Sequence, residues 1–235
     1  MKTGITINDQ PVLVPSSWNE ITFGQYLELS KAETDAQTMA ALTGVDIKLC
    51  EQVSPEMMAV ILEPSSKLGD VVYLDMPTIE NKEVPRNLGS MEFARKVNCD
   101  ALKCSDEERV GKMVAIYCAN GIEDEDIDTM YASVLNESFA NVVSAGKIIS
   151  EQLVELRKGE EVIKAPEYTS EEWSAGINEF KKYGVFGLVR GIALRHHCSM
   201  QDVFGWSYNS VLLELQYSAD ENAYQRKLNS ILSRK

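Results

Sequence analysis

Apolar residues recur at three- and four-residue spacings along most of the chain, separated by capping, glycine and proline signals, and this pattern predicts a mainly helical protein. Thr22 and Gln25 stand at capping-box spacing, with Phe23, Tyr26 and Leu27 following on one face. A short helix over 35–43 is expected to stop at Gly44, and Ser54-Pro55 starts another that carries Met57 and Ile61 until Pro64. Ser105 and Glu108 open a longer helix through Val110, Met113, Val114, Tyr117 and Cys118, which Asn120-Gly121 ends. Ile127, Met130, Tyr131 and Val134 mark the next. After Asn136, Val142, Gly146, Ile149, Leu153 and Leu156 align on a seam that runs to Gly159 and calls for a helix against it. Residues 157–168, charged and without period, read as a linker.

Beyond the linker, Thr169 and Glu172 form a capping box, and Trp173, Ile177 and Phe180 line a face that runs into Tyr183-Gly184. Leu188, Val189 and Ile192 continue toward His196. Ser199 with Asp202 starts a short turn, and Ser207 opens a last helix with Val211, Leu212, Leu215, Leu228 and Ile231. Two segments read as β-structure instead: residues 4–14, a hairpin about Asn8-Asp9, and residues 71–88. In the latter, Val71-Val72-Tyr73-Leu74 favours strand and Asn81-Lys82 marks a polar turn; the two segments could share one sheet. The expected fold is mainly α, bundle-like, with a minor β-hairpin element and a C-terminal helical subdomain. The expected division is 1–160 and 161–235. No repeat is visible at solenoid periods.

Charge narrows the set of partners. With 36 acidic against 23 basic side chains the net charge is −13, a field that repels phosphate backbones. The densest basic stretch, Arg226, Lys227, Arg234 and Lys235, reads as a solvated helix end. No apolar run approaches the ~20 residues of a membrane span, and MKTGITINDQ lacks the apolar core of a secretion signal. Five cysteines without framework spacing read as reduced thiols of a cytoplasm.

No constellation announces catalysis, so no catalytic, cofactor or metal residue is assigned. His196 and His197 are adjacent, and neighbours on a helix point about 100 degrees apart, too far to share one ion readily. An EF-hand loop counted from Asp124 would need Gly at its sixth position and Glu at its twelfth, where Thr129 and Leu135 stand. The run Glu123–Asp128 therefore reads as a carboxylate-rich helix start. Cys104 precedes a helix start, but Asp106, Glu107 and Glu108 oppose a thiolate there. The aromatics carry more weight. Trp18, Phe23, Tyr26, Trp173, Phe180, Phe204, Trp206 and Tyr208 are candidates for partner contact, with core anchoring as the competing role.

The stretch VPSSWNEITFGQYLEL at 14–29 resembles the opening of proteins encoded among the tail genes of tailed bacteriophages, where a Trp-x-Glu-hydrophobic-Thr phrase leads into the first helix. Leu42-Thr43-Gly44, the strand pair about Asn81-Lys82 with Val84 to Gly89, and the block Val110 to Leu156 look alike too. The region from 169, with Asp202-Val203 and the helix from Leu213-Glu214-Leu215 to Tyr224, is similar to the extension of the longer form of tail assembly chaperones. The resemblance implies a non-catalytic chaperone that holds the tape-measure protein in the host cytoplasm, with homo-oligomerisation open and no nucleic-acid or membrane partner. Two alternatives stand beside it: a structural virion component such as a head-tail connector or tail-completion subunit, and an enzyme of unrecognised type.

Overall fold

The computed structural model describes residues 3–7, 10–161, 163 and 169–233. The hairpin turn at Asn8-Asp9, most of the linker's second half (164–168) and the basic pair Arg234-Lys235 lie outside them. Strands β1 (Thr3–Ile7) and β2 (Gln10–Val14) pair antiparallel. Helices α1 (Phe23–Ser30), α2 (Asp35–Thr43), α3 (Ile47–Cys50) and α4 (Pro55–Leu62) follow. Next come β3 (Thr78–Ile79) and β4 (Lys82–Glu83), then α5 (Phe93–Asp100), α6 (Asp106–Cys118), α7 (Asp124–Asn136) and α8 (Phe139–Glu161). The chain continues with α9 (Ser170–Ser174), a 3-10 segment Ile177–Tyr183, α10 (Gly184–His196), α11 (Met200–Phe204) and α12 (Tyr208–Leu232). The protein is mainly α-helical.

Local chemistry sets most of these limits. Thr22 and Thr34 each form a complete capping box, Ser54 caps α4 with Pro55 at its first position, and Gly44 closes α2 at φ 73°. The expected box at Ser105 is half made: its hydroxyl accepts the Glu108 amide, while the Glu108 carboxylate lies 3.4 Å from the Lys112 ammonium one turn on. Trp173 and Phe180 do not share one continuous helix, because Gly176 at φ 86° interrupts it. Val71–Leu74 forms no strand. The Leu74 amide donates instead to Ser144 Oγ at 2.8 Å. The two hairpins form separate two-stranded sheets. Glu80 and Asn81 take left-handed φ values in the turn between β3 and β4.

Two compact units emerge, and they do not follow the division at residue 160. The first comprises 1–86 and 102–150; the second comprises 87–101 and 151–235. The boundary falls within α8 rather than in the linker, and α5 belongs with the C-terminal helices. In the first unit, Val14, Met39, Cys50 and Ile61 form one core cluster, while Val114, Val134, Val142 and Ile149 are fully buried on α6, α7 and α8. The seam on α8 is thus filled from within the chain. Glu137, just before α8, and Asn141 and Ser144 in its first turns hold the 74–80 segment: Glu137 accepts the Glu80 amide, Asn141 pairs with Thr78 through both its amide groups, and Ser144 accepts from Leu74.

The second unit is built on Phe93, Val189, Ile192, Val203, Tyr208 and Val211. Within it the buried Lys96 of α5 centres an ionic cluster whose carboxylates reach solvent. The Lys96 ammonium meets the Asp100 carboxylate and lies 3.3 Å from Glu160, which also accepts the Tyr208 hydroxyl at 2.7 Å. Leu212 comes within 3.2 Å of where a side chain on Gly159 would begin.

Each unit is closed by the same device. In the first, Thr22 and Ser138 form an isolated antiparallel bridge: the Phe23 amide donates to the Glu137 carbonyl at 2.8 Å and the Phe139 amide to the Ile21 carbonyl at 2.7 Å. In the second, Glu92 and Ser207 do the same, with Phe93 to Trp206 at 2.8 Å and Tyr208 to Met91 at 2.9 Å. The rings of Phe23 and Phe139 stack at 6.4 Å, and those of Phe93 and Tyr208 lie 6.2 Å apart. Around these clamps, Val14-Pro15 and Phe23 recur seventy residues later as Val84-Pro85 and Phe93.

Two substitutions test the packing at the first clamp. A methyl on Gly111 would sit 2.3 Å from Phe23 Cε1, so Gly111→Ala is expected to destabilise the chain by about 1–3 kcal/mol. Phe139→Ala is expected to cost about 3–5 kcal/mol. Denaturant unfolding followed by circular dichroism reads both.

Candidate interaction surface

The eight aromatic residues singled out in the sequence fall into three environments. Phe23 and Tyr208 are core residues, 1% and 3% exposed, so neither presents its ring to a partner. Large apolar rings at the first position of a clamped helix are driven inward by the helix they face. Trp18, Tyr26, Phe204 and Trp206 are half-buried. Trp18 and Tyr26 pack on Phe139 with ring centroids 4.9 and 4.2 Å away, and the Trp18 indole N–H donates to the Gly69 carbonyl at 2.9 Å. Phe204 stacks on Phe93 at 6.2 Å, and the His196 and Trp206 rings meet edge to face at 5.1 Å. Trp173 and Phe180 are exposed.

The exposed pair belongs to a longer surface that the sequence reading did not assemble. Phe180 is 67% exposed and lies 6.2 Å from Tyr183; Phe186, Leu188 and Leu194 are also mostly in solvent. On α10 the buried residues Val189, Ile192 and Ala193 occupy one side. Gly187, Leu188, Gly191 and Leu194 turn to the other, and around Gly191 nothing lies within 4 Å of a side chain's first atom. The signal was present as two interleaved apolar periods on one helix; reading a single face concealed the second. Lys181 and Lys182 lie over the rings of Trp173 and Tyr183, and Arg190 is exposed on α10, so the apolar row carries a cationic margin.

Charge is divided unequally. The first unit holds 22 acidic and 10 basic side chains, the second 14 and 13, so nearly all of the net −13 resides in the first. The acidic run Glu123–Asp128 leads into α7, where carboxylates offset the positive end of the helix dipole. Among the described residues no group of His, Cys, Asp or Glu could hold a metal ion, and no helix is long and apolar enough to cross a membrane. Burial pushes the Cys50 thiol above its ordinary range, which suppresses its reactivity. A surface recess lined by Met76, Pro77, Val84 and Ile148 encloses about 10 Å3, room for a single water.

The polar groups that converge do so structurally. Glu214 on α12 accepts from His196 Nε2 at 3.0 Å and from Arg195 at 3.2 Å, and Arg195 also reaches Ser218, which ties α10 to α12. The hydrogen bond from His196 leads in holding the Glu214 carboxyl below its ordinary value. The Arg95 guanidinium at 2.7 Å does the same for Glu92.

No family model, curated protein or solved structure matches the chain.

A carboxylate lowered in the folded state stabilises it above the group's ordinary value of 4.5 and loses that contribution as pH falls through the lower folded value. Glu214→Gln is therefore expected to cost about 0.5–1 kcal/mol at neutral pH. Urea titrations from pH 7 to 3 should show the gap to the parent closing below about pH 4.5.

Proposed function

We propose that this chain is a non-catalytic tail assembly chaperone of a tailed bacteriophage, which holds the tape-measure protein in the host cytoplasm until the tail tube forms around it. The observation that carries the reading is the exposed apolar row Phe180, Tyr183, Leu188 and Leu194 on a unit with almost no net charge, in a chain whose other unit is strongly acidic. A protein that must cover the apolar stripe of a long helical client needs an apolar acceptor face and a solubilising body. The two units divide those tasks.

The chemistry of the row constrains the client. Gly187 and Gly191 let a helix backbone approach α10 closely, while Leu188, Leu194 and the flanking aromatic rings supply contact area. Lys181, Lys182 and Arg190 favour a client whose apolar stripe is edged with carboxylates. Trp173 and Phe180 remain contact residues in this reading. Trp18, Tyr26, Phe204 and Trp206 support the fold beneath, and Phe23 and Tyr208 lie in its core.

Pull-down from infected lysate combined with mass spectrometry of purified virions tests the proposal. Recovery with the tape-measure protein and absence from finished particles is the expected result. Stoichiometric presence in the particles would overturn it and make the chain a virion subunit. Phe180→Glu and Leu188→Glu should reduce tape-measure capture at least tenfold while leaving the thermal midpoint within a few degrees of the parent. Gly191→Ala separates binding from folding. It should stabilise the free chain by about 0.5–1 kcal/mol, because helical glycine is unfavourable and the added methyl meets nothing, yet weaken capture.

A further inference from the structure

We infer that α12 pairs with α12 of a second copy of this chain in an antiparallel two-helix seam, separate from the α10 face. Helix α12 has two apolar sides. Tyr208, Val211, Leu212 and Leu215 face the core of the second unit, whereas Leu213, Tyr217, Tyr224 and Ile231 lie on the opposite side. Tyr217, Tyr224 and Ile231 stand seven residues apart and are 57%, 62% and 51% exposed. A large apolar side chain every seven residues, continuous along the helix and pointing away from its own core, supplies one of the two rows of a coiled-coil seam, and Asp220 and Lys227 stand in the other.

Aligning the two clamps at Ser138 and Ser207 places the second half of α8 at the position of the second half of α12. That half of α8 is packed, with Leu153 7% exposed and Leu156 against the second core. Residues 220–232 of α12 bury none of their side chains.

Charge selects the occupant and its direction. Asp220 and Lys227 are exposed, stand seven residues apart, and lie three residues after Tyr217 and Tyr224 on the same side of the helix. In an antiparallel pair centred at Tyr224, Tyr217 opposes Ile231, and Asp220 of each copy comes within one residue of the level of Lys227 of the other, giving two equivalent ion pairs. A parallel pair would bring Asp220 against Asp220 and Lys227 against Lys227. The stripe is therefore self-complementary under two-fold symmetry, as an isologous interface requires. Arg226 turns inward instead, 3.7 Å from Glu172 of α9.

Sedimentation equilibrium of the full chain over a range of concentrations tests this. The expected result is a reversible equilibrium between the 26.2 kDa chain and its dimer. Asp220→Lys should weaken the dimer about tenfold or more by opposing like charges twice. Adding Lys227→Asp to it should restore the parent affinity, because the swapped charges meet again. Tyr224→Glu should leave monomer alone, with circular dichroism confirming the helical content; should it misfold, the charge variants, both at exposed sites, still decide. A monomer at every concentration would overturn the proposal. So would a dimer indifferent to Asp220→Lys, or a double variant no tighter than the single one.

Discussion

Two crossed amide–carbonyl exchanges hold the helices of this protein in place. The first amides of a helix have no acceptor within it, and burying them unpaired is costly. Here the leading amides of α1 and α8 are satisfied by the residues just before each other's helix, and α5 and α12 repeat the arrangement. The exchange fixes where each helix begins and forces the first side chains, Phe23 against Phe139 and Phe93 against Tyr208, into contact. It also brings two positive helix ends together, and Glu137 and Glu92 supply negative charge at those junctions.

Everything downstream inherits its geometry from those clamps. In the first unit, Trp18 and Tyr26 complete an aromatic cluster about Phe139, and the side chains of α8 hold the 74–80 segment across its first turns. In the second, the Glu160 carboxylate joins Lys96 of α5 to the Tyr208 hydroxyl of α12, so the ionic cluster and the clamp share an anchor. A buried cation with two carboxylates contributes fit and orientation more than net stability, since desolvation offsets much of the attraction.

The two copies of the device have been put to different use. One sits in a strongly acidic body, where Val142 and Ile149 of the long helix are fully buried while Met57, Val60, Val72 and Met76 lie in solvent. The other sits in a nearly neutral unit where α10 and α12 each present a second apolar side to solvent. Acidic repulsion disfavours self-association in the first unit, whereas in the second the repulsion is almost cancelled and apolar contact can dominate. The proposed client surface and the proposed α12 seam both lie on the second unit, and that partition of charge supports both.

The sequence by itself determined where many of the helices begin and end. Capping residues, prolines and left-handed glycines act within a few residues, so the boxes at Thr22 and Thr169, Pro55 behind Ser54, and Gly44 closing α2 are readable locally. It also determined the mainly helical class and the acidity. Helix α5 was not anticipated: Glu92 offers its amides no side-chain cap, and its start is set by Trp206, more than a hundred residues away. Tertiary structure alone decided that α5 belongs with the C-terminal helices, that Phe23 and Tyr208 are interior while Phe180 is exposed, and that Leu188 and Leu194 join the same surface. A helix period states which residues share a side. Which of two apolar sides faces inward depends on what packs against it, and that partner arrives from a distant part of the chain.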